Sequence, residues 1–182
     1  MEIILASNSP RRRELLKGAG INFKVIPSDF VEDKRPELTP CAYAEYLAFS
    51  KAKSVLDKNC GSVVIGADTI VVFNGEILGK PSSFENAVDM LKKLSGKEHE
   101  VITGYAVITD KKHIVSHEVT KVTFNELSLK FIEDYVKTGS PMDKAGAYGI
   151  QDGNLAKKID GEYDNVVGLP TKKILKALTE VI

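Results

Sequence analysis

Three consecutive arginines, Arg11, Arg12 and Arg13, stand where a helix is about to begin. Ser9-Pro10 supplies an N-cap followed by proline at the first helical position, so the arginines fall in the first turn. That end of a helix already carries about half a positive charge, and a cation there costs roughly 0.3 to 1 kcal/mol. A polyanion resolves the conflict. Free backbone N–H groups, the Ser7 and Ser9 hydroxyls and forked guanidinium groups together offer the donors that phosphate oxygens need. A solvated basic face paired with acidic neighbours is the plainer reading of the same residues.

A second oddity is Asp68, in Gly66-Ala67-Asp68-Thr69, inside an otherwise apolar strand. A carboxylate in such a place must be paired, hydrogen-bonded or bound to a cation. A metal site or a catalytic base would account for it, and so would backbone N–H groups or a lysine. Glu32 and Asp33 form an acidic pair after the predicted strand Phe23 to Ile26. Hard cations such as Mg²⁺ take one or two carboxylates together with substrate phosphates, so these residues and Asp68 could complete a divalent-metal site. Adjacent carboxylates in a loop are also ordinary solvated surface. Lys51, Lys80 in Gly79-Lys80-Pro81, and Lys144 in Asp143-Lys144-Ala145-Gly146 are candidates to neutralise phosphate charge.

The elements that must position these groups can be read along the chain. Ile3 to Ala6 is a short buried strand, and the helix opened by Ser9-Pro10 runs to about Lys17, closed by Gly18 and Gly20. Thr39-Pro40 repeats that start signal, and Tyr43, Leu47, Ala48, Ala52, Val55 and Leu56 trace the apolar face of a helix ending before Gly61. Lys51 lies near its middle. An apolar strand over 63–73 reaches Asn74-Gly75, a strong hairpin signal, and returns through Glu76 to Leu78. Ser82 with Glu85 predicts a capping box for a helix to Leu94. Strands over 101–108 and 113–124 follow, then a helix over 128–136, a loop from Ser140 to Gln151, a short strand near Ile159 and a C-terminal helix after Gly168-Leu169-Pro170. Strands joined both by hairpins and by helices imply an α/β fold with a mixed sheet and flanking helices.

Composition narrows the partners. At 182 residues the chain suits one domain, or two lobes sharing a cleft. Twenty-five basic residues balance twenty-five acidic ones, so no global field draws in nucleic acid or an anionic membrane, and an anion site must be local. The N-terminal run Ile3 to Ala6 is shorter than a signal peptide's apolar core, no later stretch approaches a membrane span, and two cysteines outside any CxxC pattern suit a reducing compartment. A cytoplasmic protein is expected. His113 and His117 sit about 13 Å apart if in a strand, too far to chelate one metal. P-loop, dinucleotide and serine-hydrolase motifs are absent.

Together the segments resemble the Maf family of nucleotide pyrophosphatases over nearly the whole chain. The resemblance is carried by 5–16 (Leu5-Ala6-Ser7-Asn8-Ser9-Pro10-Arg11-Arg12-Arg13-Glu14-Leu15-Leu16), Ile65-Gly66-Ala67-Asp68-Thr69, Leu78-Gly79-Lys80-Pro81, Ile102-Thr103-Gly104, the run from Asp143 to Gln151, and Val167-Gly168-Leu169-Pro170. It implies one Maf-like domain over 1–182, with two lobes around a cleft, similar to inosine triphosphate pyrophosphatases and often a homodimer. The implied reaction is hydrolysis of a nucleoside triphosphate between the α- and β-phosphates, aided by Mg²⁺ or Mn²⁺. Asp68 matches the family's base, while Ser7, Arg12, Arg13, Glu32, Lys51 and Lys80 match phosphate- or metal-contacting positions. Arg11, Thr69 and Gln151 match the places where subgroups differ, and their combination looks like the dTTP/UTP branch. A glutamine amide can pair with both a carbonyl and an N–H of a uracil or thymine edge. Asp33 stands where the family pattern has Glu, leaving open whether Glu32 or Asp33 binds the metal. Two rivals remain from sequence: the same chemistry on another nucleotide such as 7-methyl-GTP, and a nucleotide-binding regulatory module without catalysis.

Overall fold

Strand β1 (Ile3–Leu5) is short because the polar run Ser7-Asn8-Ser9 follows one residue after it, and it pairs in parallel with β2 (Lys24–Val25) on one side and β3 (Val63–Phe73) on the other. A computed structural model describes residues 1–182. Helix α1 (Pro10–Gly18) starts as the sequence signals predict, with the Ser9 hydroxyl accepting from the Arg12 N–H at 3.4 Å. Helix α2 (Pro40–Leu56) is capped likewise by Thr39. Then come β4 (Glu76–Leu78), α3 (Phe84–Leu94), β5 (Glu98–Ile108), β6 (His113–Phe124), α4 (Leu129–Lys137), β7 (Ala156–Asp160), α5 (Tyr163–Val167) and α6 (Thr171–Val181). The seven strands form a mixed sheet ordered β2-β1-β3-β5-β6-β7, with β4 paired to β3. No helix is long and apolar enough to cross a membrane.

The chain divides into two compact units, one comprising 1–69, 103–118 and 168–182, the other 70–102 and 119–167. In the first, alternation along β3 sorts side chains to two faces. Val63, Ile65 and Ala67 pack with Leu5, Leu16, Tyr105 and Val107 and with Ile174, Ala177, Leu178 and Val181 of α6. Val64 packs with Ile4, Ala6, Ala106 and Ile108 and with Ala48, Ala52, Val55 and Leu56 of α2. Thus α1 and α6 cover one face of this part of the sheet and α2 the other. Each fully buried Val, Leu or Ile contributes roughly 1.5 to 3 kcal/mol.

Helix α2 approaches the strands unusually closely. A Cβ placed on Gly66 would lie 2.3 Å from the Ala48 carbonyl oxygen, and one on Gly104 would lie 2.1 Å from that of Ala44. Ala44, Ala48 and Ala52 recur every fourth residue, a ridge of small side chains set down on strand backbone. Lys51 and Asp68 are carried by these two touching elements.

In the second unit, Asn74 and Gly75 both take positive φ, 50° and 78°, and turn β3 into β4 as a two-residue hairpin. His99, Phe124 and Tyr148 pack edge to face, with the His99 Nε2 to Tyr148 hydroxyl distance 2.7 Å. Four expectations shift here. The cap of α3 is Ser83, not Ser82: the Ser83 hydroxyl accepts from the Asn86 N–H, and the Asn86 side-chain oxygen reaches past the cap to accept from the Ser82 N–H, in place of the expected Ser82–Glu85 box. Strand β5 begins at Glu98 rather than Val101, because His99 turns inward while Glu98 is exposed. The segment 140–151, expected as loop, winds into three 3-10 turns, and α5, too short to show a helical period, went unanticipated.

Candidate active site

Pairing of β1 with β3 ends at Leu5 and Ile65, and the chain leaves the sheet at Ser7 to enter α1. The carboxyl end of a parallel strand followed by a helix N-terminus is a ready site for anions. Ser7 is buried there, its hydroxyl accepting from the Ser9 N–H at 3.2 Å. Arg12 does not splay into solvent. Its Nε donates to the Gly168 carbonyl at 2.7 Å, Nη2 to the Thr69 hydroxyl at 3.1 Å and Nη1 to the Ser7 hydroxyl at 3.4 Å. Thr69 in turn lies 2.9 Å from the Thr103 hydroxyl. These bonds fix the plane of the guanidinium and leave N–H groups over for an incoming anion. Desolvation lowers the Arg12 pKa and the charge of Asp68 raises it, while Arg11 lowers it and Glu32 raises it; a guanidinium so placed stays charged.

Asp68, the neighbour of Thr69, points to the opposite face of β3, toward α2. Its carboxylate meets the Lys51 ammonium at 2.5 Å, and the same ammonium meets Glu32 at 2.6 Å. Both inner side chains are largely shielded, Lys51 at 16% and Asp68 at 13% exposure, whereas Glu32 is 52% exposed. The lysine reading of Asp68 is therefore realised, and in a form that gathers two carboxylates about one cation. One strand thus presents an acid to α2 through Asp68 and braces a base on α1 through Thr69.

The two members of the acidic pair touch different partners. Asp33 is turned away to Arg35, at 2.6 Å, and to the Tyr46 hydroxyl, at 2.8 Å; Tyr46 and Arg35 hold its pKa below the usual carboxylate range. The Tyr43 hydroxyl donates to the Asp33 carbonyl, and Phe30 packs edge-on to Tyr46. These contacts from α2 moor the loop that brings Glu32, and not Asp33, to Lys51.

Other expected residues fall elsewhere. Arg11 is half-buried, close enough for its charge to act on Arg12. Arg13, one helical step on, lines a shallow depression with Lys17, Ile21, Asn22, Phe23 and Val25. Lys80 and Gln151 belong to the second unit, both exposed. Lys144, in the same unit, is committed locally, donating to the carbonyl and hydroxyl of Ser140 and pairing with Asp143. Nothing in the residue pattern marks Thr103, Gly168, Tyr46 or Arg35 for the site, and Tyr43, expected on the apolar face of α2, instead turns its hydroxyl to the Asp33 carbonyl. The motifs Ile102-Thr103-Gly104 and Val167-Gly168-Leu169-Pro170 were visible; their task as a brace for Arg12 appears only when distant segments meet.

A family model described as "Maf-like protein" matches residues 2–181. A dTTP/UTP pyrophosphatase of Alkaliphilus oremlandii is 54% identical, the match covering 95% of this chain and 92% of that one. One of Aquifex aeolicus is 47% identical over 100% of this chain and 96% of its own length. Among solved structures, a HAM1 protein from Coxiella burnetii superposes with a TM-score of 0.51 at 18% identity over 100% of both chains. The Staphylococcus aureus Ham1 protein gives 0.53 at 18% identity, over 99% of this chain and 98% of its own. At such identities the likeness is one of fold.

Proposed function

We propose, from the premise that this chain belongs to the Maf family, that it hydrolyses dTTP and UTP to the monophosphate and pyrophosphate. The observation that carries the reading is the pairing of adjacent residues on β3: Asp68 held with Lys51 and Glu32, and Thr69 bracing Arg12. An activated water needs a base, a triphosphate needs fixed cations, and this strand supplies an anchor for each.

The donor set fits a hard divalent cation such as Mg²⁺ or Mn²⁺, since two carboxylates converge on a position already held by one positive charge. Asp68 and Glu32 would hold the ion, which when bound offsets phosphate charge. In this reading the Ser7 hydroxyl and the remaining N–H groups of the braced Arg12 bind phosphate oxygens, the backbone N–H groups of Ser9, Arg12 and Arg13 being already taken by Ser7 and Ser9. Asp68 takes a proton as the oxygen of water bonds to the α-phosphorus. The bond from that phosphorus to the bridging oxygen breaks, and pyrophosphate leaves. Lys51, released from the carboxylates, moves its charge to the phosphates, with Arg13 and Lys80 assigned to the same task. Arg11, Thr69 and Gln151 are assigned to choice of base. Cys41 and Cys60 form no disulfide, which suits work on cytoplasmic nucleotide pools.

The test is a panel of nucleoside triphosphates with Mg²⁺ or Mn²⁺ and identification of the products. Pyrophosphate from dTTP and UTP is expected, and Asp68→Asn should still bind nucleotide but release no pyrophosphate. Comparable turnover of 7-methyl-GTP would sink the choice of branch; full activity in Asp68→Asn would sink the base assignment.

A further inference from the structure

We propose that Tyr135 is a positioning residue for base selection, because its hydroxyl staples both ends of the turn that carries Gln151. The proposal rests on the reading above that Gln151 chooses the base. Tyr135 lies on α4, 8% exposed, in the line of buried residues formed with Ile132 and Val136. Its oxygen accepts from the Gly149 N–H at 3.0 Å and donates to the Asp152 carboxylate at 2.7 Å. Gln151 stands between those two residues, in the 3-10 turn Ile150–Asp152, and the Asp152 N–H closes that turn on the Gly149 carbonyl at 3.0 Å. The carboxylate oxygen that Tyr135 reaches also accepts from the Ser140 hydroxyl at 2.6 Å.

A phenol suits this work because it gives and takes a hydrogen bond at one atom. Burial pushes the Tyr135 pKa up and the nearby Asp152 charge adds to it, so the proton stays on the oxygen and the bond to Asp152 persists. Gln151 itself is exposed on a flexible side chain. An amide carrying both a donor and an acceptor meets the same base edge each time only if the backbone it springs from is fixed, since a moving anchor shifts both groups out of register with their partners. The staple supplies that fixity without touching the nucleotide.

The test compares kcat/KM for dTTP, UTP, dCTP and 7-methyl-GTP in the wild type and in Tyr135→Phe, Asp152→Ala, Asp152→Asn and Gln151→Ala. Tyr135→Phe keeps the ring in the core and removes only the hydroxyl. Asp152→Ala cuts the same staple from the exposed side, so the question survives if the first variant folds poorly. Both should lower the preference for dTTP over dCTP about tenfold, equivalent to about 1.4 kcal/mol, with pyrophosphate still the product. Asp152→Asn, which keeps an acceptor, should recover most of that preference. A purely structural role would depress all four nucleotides alike and leave the ratio intact, and that result overturns the proposal. If Gln151→Ala shifts the ratio while Tyr135→Phe and Asp152→Ala do not, only the staple fails. An unchanged ratio in Gln151→Ala removes the assignment of Gln151 and the staple's role with it.

Discussion

Replacing Lys51 by methionine keeps most of the side chain's length and deletes the ammonium that Asp68 and Glu32 share. The cost follows from where each carboxylate lies. Removing one partner of a buried ion pair costs about 3 to 5 kcal/mol, because the other charge is stranded, whereas exposed pairs are worth about 1 kcal/mol or less. Asp68, at 13% exposure, is near the buried limit; Glu32, at 52%, can turn to water. A loss of about 2 to 3 kcal/mol is expected in protein stripped of metal. Saturating Mn²⁺ should restore much of it, since a cation at about a hundred times its Kd stabilises a fold by about 2.7 kcal/mol. In the wild type the same ion must first displace the lysine, so its effect there should be smaller. The assay is urea unfolding of both proteins in EDTA and in Mn²⁺, comparing midpoints at constant m-value. The reasoning is refuted if the variant is as stable as the wild type in EDTA, or if Mn²⁺ moves both midpoints equally.

Acid should act through His99, whose pKa burial pushes down to about 4, against 6.5 in the unfolded chain. Between those values the unfolded chain binds the extra proton, so stability is fully present above pH 6.5 and falls, by about 3 kcal/mol in total, as pH drops toward 4. Urea midpoints for His99→Gln should show a flatter slope in that window, and an identical slope would count against the assignment. Gly66→Ala drives a methyl into the Ala48 carbonyl and should destabilise by roughly 1 to 3 kcal/mol while lowering turnover, because α2 carries Lys51 away from Asp68. Gly18→Ala, whose methyl meets nothing within 4 Å, is the control and should leave turnover intact.

Much of the fold could be read from the sequence where one local rule decided. Ser9-Pro10 and Thr39-Pro40 opened α1 and α2, and Asn74-Gly75 turned β3 into β4. The failures arose where local rules competed. Either Ser82 or Ser83 could cap α3, and the side chain of Asn86 settled the matter by bonding back. Polar Glu98, His99 and Glu100 hid the start of β5, because a buried histidine looks like surface until Tyr148 and Phe124 are seen around it. In the site, Asp68 and Arg12 announced themselves by being costly where they stood. Their partners did not. Thr103 and Gly168 are unremarkable as residue types, and Glu32 was separable from Asp33 only through Tyr46 and Arg35.

The seating of α2 on bare strand backbone at Gly66 and Gly104 also divides the site by rate of movement. No layer of side chains lies there to be compressed, so the helix and β3 move together, and the backbones that carry Lys51 and Asp68 keep their spacing while the lysine side chain can still turn. The loop bearing Glu32 is moored by the exposed pair Asp33 to Arg35 and the half-buried contact of Phe30 with Tyr46, and loops so held move on nanosecond to microsecond timescales. If the proposed ion binds between Asp68 and Glu32, its admission and release fall to the Glu32 side, beside a helix and strand whose backbones hold still.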